Sequence, residues 1–251
     1  MSCSIEPLTQ HGGSVAMTPP ASVNWNDSLE IRARQSLGSS DVTIYQMVAR
    51  ALTQCRTDGG LLVDVGCGGG NLYQFVRESF ARYVGVDAVE YEGFPADCEF
   101  HRADLDNCKV PFPDGCADAV AAVETIEHLE NPRAFMRELV RLTKPGGWVF
   151  VTTPNQLSLL SLLTIAIKGR FSAFQDADYP AHRTALLEAD LRRIASECGL
   201  TDMLVAYNER GRIVLTPWHY PTALSRLFPR ACSDNLLIAA RKPVTTAKVT
   251  V

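Results

Sequence analysis

Leu61-Leu-Val-Asp64-Val-Gly66-Cys-Gly68-Gly-Gly70-Asn71 decides how the rest of the chain is read. A short apolar run leads into four glycines within five positions, and a further stretch of helical character follows. This is a buried strand entering a tight turn, and the missing side chains bare backbone N–H groups where a ligand can approach. An ordinary strand-to-helix turn would also use glycine. A triphosphate loop is not expected because no Gly-Lys-Ser/Thr follows, and a nicotinamide dinucleotide loop lacks its third glycine at Asn71.

Outward from this loop, β-rich runs recur at 83–86, 98–101, 119–123 and 148–152, separated by helical or loop stretches. Upstream, apolar residues at 44, 47, 48, 51 and 52 mark one face of a helix starting near Asp41. Downstream, 131–143 is helical and stops at Lys144-Pro-Gly-Gly. A second helix spans 188–198, and two late strands are expected at 203–207 and 236–240. Alternation of strands and helices predicts a doubly wound, seven-stranded α/β sheet. Residues 156–183 fit no sheet element and are expected as a lid-like insertion over its carboxyl edge. Residues 1–39 read as a Ser/Gly/Pro-rich lead, 40–242 as the domain and 243–251 as a tail.

The chain has 251 residues, 46 % of them apolar and 21 % charged, with a formal charge of −4. That composition is globular and gives no basic footprint for nucleic acid, so such a partner is not expected. Eight scattered cysteines form no Cys-x-x-Cys pair, and the start of the chain lacks a secretory pattern, so a cytoplasmic location is expected.

Two acids follow the glycine loop at strand ends. Asp87 closes Tyr-Val-Gly-Val, 21 positions beyond Gly66, placed to accept ribose hydroxyls, and Asp104 with Leu105 closes the next strand, suited to an adenine. Either alone is commonly a turn or cap residue. With Glu124-Thr-Ile-Glu-His-Leu and Leu-Thr-Lys-Pro-Gly-Gly147, these motifs resemble the class I S-adenosylmethionine-dependent methyltransferases over about residues 40–242. The resemblance implies a Rossmann-like methyltransferase sheet whose last strand is antiparallel, with a helical insertion after strand 5. It implies that Gly66, Gly68 and Gly70 face the methionine and ribose end of the cofactor. It gives Asp87 the ribose, Asp104 and Leu105 the adenine, and Asp64 the ordering of the loop and the methionine ammonium.

Glu124, Glu127 and His128 stand at i, i+3 and i+4, so a helical turn begun at Glu124 would set them on one face. Such a triplet can bind a divalent cation, Mg2+ or a similar ion; alternatively Glu124 caps, Glu127 is solvated and His128 packs. Glu-x-x-Glu-His is similar to the metal motif of ubiquinone-biosynthesis O-methyltransferases and of small-RNA 3′-terminal 2′-O-methyltransferases, which implies a further histidine, here His182. Without metal, His128 is the candidate general base, with His182 as its alternative.

The run Leu157–Ile167 is apolar at nearly every position and ends in Lys-Gly-Arg-Phe. As a helix it is too short to cross a bilayer, which leaves a packed lid, contact with a membrane surface or lipophilic substrate, or an interface between copies. Trp218, His219 and Tyr220 are candidates for the acceptor pocket. The resemblance implies methyl transfer to a small-molecule acceptor, at oxygen. The competing readings are a nicotinamide-dependent oxidoreductase and a catalytically silent scaffold of the same fold.

Overall fold

In the computed structural model, which describes residues 33–34, 38–107 and 109–244, β1 (Leu61–Val65) is buried along its whole length. Its side chains alternate between two cores: Leu61, Val63 and Val65 belong to one and Leu62 to the other. A strand with no wet face sits in the centre of a sheet covered on both sides. Accordingly β1 pairs in parallel with β2 (Arg82–Asp87) on one side and β4 (Ala117–Ala122) on the other. β3 (Glu99–Arg102) extends the β2 edge. On the other side follow β5 (Thr143–Pro154), β7 (Asn235–Arg241) and β6 (Thr201–Tyr207), giving the order β3-β2-β1-β4-β5-β7-β6. β7 is antiparallel to both neighbours, as expected for the last strand.

The helices complete the two layers. α1 (Val42–Gln54) buries Ile44, Met47, Val48 and Leu52 in the Leu62 core, and α2 (Tyr73–Val76) follows the glycine loop. Asp41 caps α1 by accepting from Thr43 N at 2.9 Å. On the opposite face α3 (Pro132–Leu142) and α5 (Glu188–Glu197) pack Phe135, Leu139, Leu191 and Ile194 into the other core. Asn131 caps α3 through Ala134 N, and Pro132 fills its first turn, where a missing N–H costs nothing. The stop at Lys144-Pro-Gly-Gly is a bulge: Thr143 pairs with Ala117, and pairing resumes only at Trp148 with Ala119.

Between β5 and α5 the chain forms α4 (Leu159–Lys168), a 3-10 turn at Asp176–Asp178 and an extended return; α6 (Thr222–Leu227) lies between β6 and β7. The expected lid differs from what is found. Ser161 is the buried residue of α4, and no residue of 159–168 lines the central cavity, whereas Ala177, Asp178, Ala181 and His182 do. Only the second half of the insertion is therefore a wall of the cavity. Among the described residues, no helix is long and apolar enough to cross a membrane. Most of the lead 1–39 and of the tail 243–251, with Cys3 and Cys108, lies outside the described residues.

Candidate functional site

The carboxyl ends of β1, β2 and β4 open into a cavity of about 570 Å³. At its floor the glycine loop is held by the strand beside it: Gly66 N donates to Val86 O at 2.7 Å and Gly68 N to the Asp87 carboxylate at 2.8 Å. Gly68 has φ +52°, and a Cβ there would lie 2.2 Å from Gly38 O, so the segment before α1 closes directly onto the loop. Gly66 meets the Thr125 side chain in the same way. Both glycines line the cavity. Gly70 does not: it sits behind the loop against Phe94 and Pro95, where its lack of a side chain serves packing.

Asp87 uses both carboxylate oxygens on backbone donors, Gly68 N and Ala88 N at 2.7 Å, while burial pushes its carboxyl up. Asp64, 1 % exposed, accepts from the Tyr83 hydroxyl at 2.5 Å through one oxygen. Its other oxygen, Oδ1, has no partner, and burial raises the carboxyl to about 7, with the Asp87 charge adding to the rise. Asp104 also lines the cavity but turns its oxygens to its own loop, accepting from Asp106 N and Asn107 Nδ2 at 3.0 and 2.9 Å. Leu105 is a partly buried neighbour of the core and shares that wall.

The turn after β4 departs from the expected geometry. Glu124 takes φ +49°, and the helical turn, of 3-10 type, starts only at Ile126. The left-handed residue breaks the i, i+3, i+4 face, and the Glu124 carboxylate is drawn instead to Thr152 Oγ1 at 2.8 Å and Asn235 Nδ2 at 2.7 Å. Glu127 is fully buried. It accepts from Thr153 Oγ1 at 3.2 Å and leaves Oε1 without a partner. Burial drives both carboxyls upward, and the charge of Glu127 adds to the rise at Glu124.

His182 does reach this turn. The return of the insertion is bolted to it by Arg183 N and Thr184 N, which both donate to Glu127 O. The His128 and His182 rings lie 4.8 Å apart, and donor atoms of Glu127, His128 and His182 all fall within 4.8 Å of one another; Glu124 stands outside this cluster. His128 Nδ1 bonds Ala181 O at 2.9 Å and His182 Nδ1 bonds Ala173 O. An Nδ1–H donating to a carbonyl leaves Nε2 with its lone pair, the arrangement in which outer hydrogen bonds orient imidazole ligands. Burial lowers the pKa of both rings, so both are neutral at pH 7.

Several participants escaped the sequence reading. Tyr83, Thr152, Thr153 and Asn235 carry the hydrogen bonds of the buried acids; a visible sign was Thr152-Thr153, polar at the end of an apolar strand. Gly38, Ser40, Asp41 and Tyr45 form the wall before and within α1. Trp218, His219 and Tyr220 do not line the cavity, and Trp218 is 69 % exposed.

A family profile described as a methyltransferase domain matches residues 42–205. The chain is similar to a ubiquinone biosynthesis O-methyltransferase of Leptothrix cholodnii, 31 % identical over 121 residues, 44 % of this chain and 51 % of that protein. It thus spans about half the length of that relative. It is also similar to a probable S-adenosylmethionine-dependent methyltransferase of Mycolicibacterium smegmatis, 26 % identical over 197 residues, 76 % of this chain and 70 % of the other. Among solved structures, a SAM dependent methyltransferase from Archaeoglobus fulgidus shares the fold at a TM-score of 0.57 and 18 % identity. That match covers 79 % of this chain and 94 % of the other.

Proposed function

The chain belongs to the class I S-adenosylmethionine-dependent methyltransferases, and from that premise we propose that it methylates oxygen on a small, uncharged acceptor with neighbouring oxygens. The acidity of the cavity carries this reading. Eight carboxylate residues line it, and no Lys or Arg does among the described residues. Burial keeps Glu124 and Glu127 largely protonated, but the remaining acids attract a sulfonium and an ammonium and repel a pyrophosphate or a phosphorylated acceptor, which argues against a nicotinamide dinucleotide and against an RNA end. Two of the four buried side-chain polar atoms without a partner among the described residues, Asp64 Oδ1 and Glu127 Oε1, line this same cavity. Unpaired polar atoms in native interiors call for a partner, and both sit where ligands would supply one.

S-adenosylmethionine supplies the methyl group on a positively charged sulfur. In this assignment the Asp64 carboxylate accepts the ammonium. Asp87, fixed by Gly68 N and Ala88 N, turns its remaining lone pairs to the ribose, with Asp104 and Leu105 along the adenine and Gly66 and Gly68 admitting the chain of the cofactor. Gly70 supports the loop from behind. The neutral imidazoles face the acceptor: with no ion bound, His128 Nε2 accepts the hydroxyl proton as the oxygen becomes nucleophilic, and His182 lies beside it as the second acceptor.

The donor set of Glu127, His128 and His182 also fits a divalent ion: one buried carboxylate oxygen is unpaired and both rings are oriented through Nδ1. Two imidazoles favour a borderline ion such as Zn2+ or Fe2+ over Mg2+. Bound there, the ion would occupy both Nε2 lone pairs, hold the two neighbouring oxygens of the acceptor and acidify one hydroxyl enough for its proton to pass to solvent. Glu124 is left in this assignment as a carboxylate that fastens Asn235 and Thr152.

Release of S-adenosylhomocysteine, followed across catechols, vicinal diols, amines and phosphorylated acceptors, tests the proposal. Turnover on neutral vicinal-oxygen acceptors, lost on chelation while S-adenosylhomocysteine still binds, is the expected result. Preference for amines or phosphorylated acceptors would overturn the acceptor assignment, and full turnover after chelation would return the proton to His128 alone.

A further inference from the structure

α4 is built inside out. Its sequence is almost wholly apolar, yet its buried face is Ser161, with the capping Ser158 beside it. Ser161 Oγ accepts from Ser172 N at 3.1 Å and donates to Gln156 Oε1 at 3.4 Å, and Ser158 Oγ accepts from Ser161 N. Leu159, Leu162, Leu163 and Ile167 point outward, between 39 % and 71 % exposed. α6 repeats the pattern: Ser225 is buried and donates to Cys232 O at 3.1 Å, while Leu224, Leu227 and Phe228 are exposed. Leu159 N donates to Ala231 O and Asn155 Nδ2 to Arg230 O, so the start of α4 is fastened to the segment that ends α6. Seven of the twelve large apolar side chains exposed among the described residues lie on these two stretches. Clustering of this kind marks a surface that is covered by something.

Charge identifies the cover. In a chain of net charge −4, residues 157–175 contain Lys168 and Arg170 and no acid, and residues 213–233 contain Arg226 and Arg230 and no acid. Arg170 and Arg226 pair with Asp176 and Glu209, which lie outside those stretches. A second copy laid on this face would set basic residues against basic residues, whereas anionic headgroups match them while the leucines enter the acyl boundary. The ten residues of α4 span only about 15 Å, so the helix lies flat on such a surface. We infer that the outward faces of α4 and α6 dock this protein onto an anionic lipid bilayer.

Flotation of the full chain with phosphatidylcholine vesicles, with and without about 30 % phosphatidylglycerol, tests this without reference to methyl transfer. The protein floats with the anionic vesicles at least about tenfold better than with phosphatidylcholine alone, and added salt weakens it. The double substitution Leu163→Ser with Ile167→Ser removes flotation while the melting temperature stays put, and Lys168→Glu lowers it on anionic vesicles only. Absence of flotation, equal flotation on both vesicles, or flotation unchanged in the double variant would each overturn the inference. A dimer on size exclusion that the double variant dissolves, without vesicle binding, would give the face to a second copy instead.

Discussion

The end of β1 and the body of α4 treat polarity in opposite ways. At β1 one carboxylate, Asp64, is carried into an apolar interior and one of its oxygens is left unpaired toward the cavity. At α4 the serines go in, every serine hydroxyl finds a partner, and Leu159, Leu162 and Leu163 stay out. The first arrangement sacrifices stability for a poised group, because an unpaired buried acid is costly. The second leaves apolar area unburied, which serves the fold nothing. A native chain departs from the inside-apolar rule mainly where something else must bind, and the two departures here carry the two proposals, a small cation at Asp64 and a lipid surface at α4.

The largest effect should come from the glycine loop. Gly68→Val places a side chain against the Gly38 carbonyl at a left-handed residue, so S-adenosylhomocysteine affinity should fall at least about 100-fold, roughly 3 kcal/mol, by calorimetry. The matching glycine of the insertion, Gly169, also has φ +70° but open space around a Cβ, and Gly169→Ala should cost only about 1 kcal/mol in thermal melts. Equal effects would erase the distinction between the two regions.

Next in size is Asp87→Ala, which strips Gly68 N and Ala88 N of their acceptor as well as the proposed ribose contact. Charge-assisted bonds of this kind contribute about 1.5–3 kcal/mol, so the affinity should drop on the order of tenfold to 100-fold. Unchanged affinity would show that Asp87 braces nothing a ligand uses.

How far these features could be read in advance differs between the regions for the same reason. β1 was legible to the residue, and strand ends at Asp87 and near Asp104 followed from the spacing of apolar runs, because strands paired in register need only local pattern. Glu124 was not legible: one left-handed residue moved it off the expected face, and its partners Thr152 and Asn235 come from 28 and 111 positions away. His182 was placed near His128 only through its family resemblance, since backbone bonds from Arg183 and Thr184 to Glu127 O make the juxtaposition. For α4 the apolar run correctly gave a helix, but composition carries no sign. Which face turns inward was settled by Gln156, Ser161 and Ser172, whose polar groups had to be satisfied.

That point is open to direct test. Ser161→Leu, apolar for polar at a fully buried position, should destabilise by about 1–3 kcal/mol, whereas Leu163→Ser on the exposed side should shift stability by about 0.5 kcal/mol or less. Chemical denaturation measures both. The reverse ranking would mean that α4 packs its leucines inward in solution, restoring the lid.

The remaining expected effect concerns protons. The carboxyl of Asp64 is raised to about 7, chiefly by burial, above the 3.8 it has when unfolded. Its folded form therefore holds a proton more tightly, so this group stabilises the ligand-free protein below pH 4 and that contribution drains away as pH rises toward 7. Ligand binding runs the other way, since only the ionised carboxylate attracts an ammonium. Between pH 6 and 7.5 the ionised fraction grows roughly eightfold, and S-adenosylhomocysteine affinity should grow in proportion, about 1.2 kcal/mol. Asp64→Asn should bind more weakly and lose this slope, and its stability should no longer decline relative to other variants from pH 4 to 7. The hydroxyls and amides buried beneath α4 have no charge to titrate, so Ser161→Ala should leave the binding slope untouched. A flat affinity profile in the unmodified protein would place the Asp64 charge elsewhere than on the ammonium, and with it the reason for leaving Oδ1 unpaired.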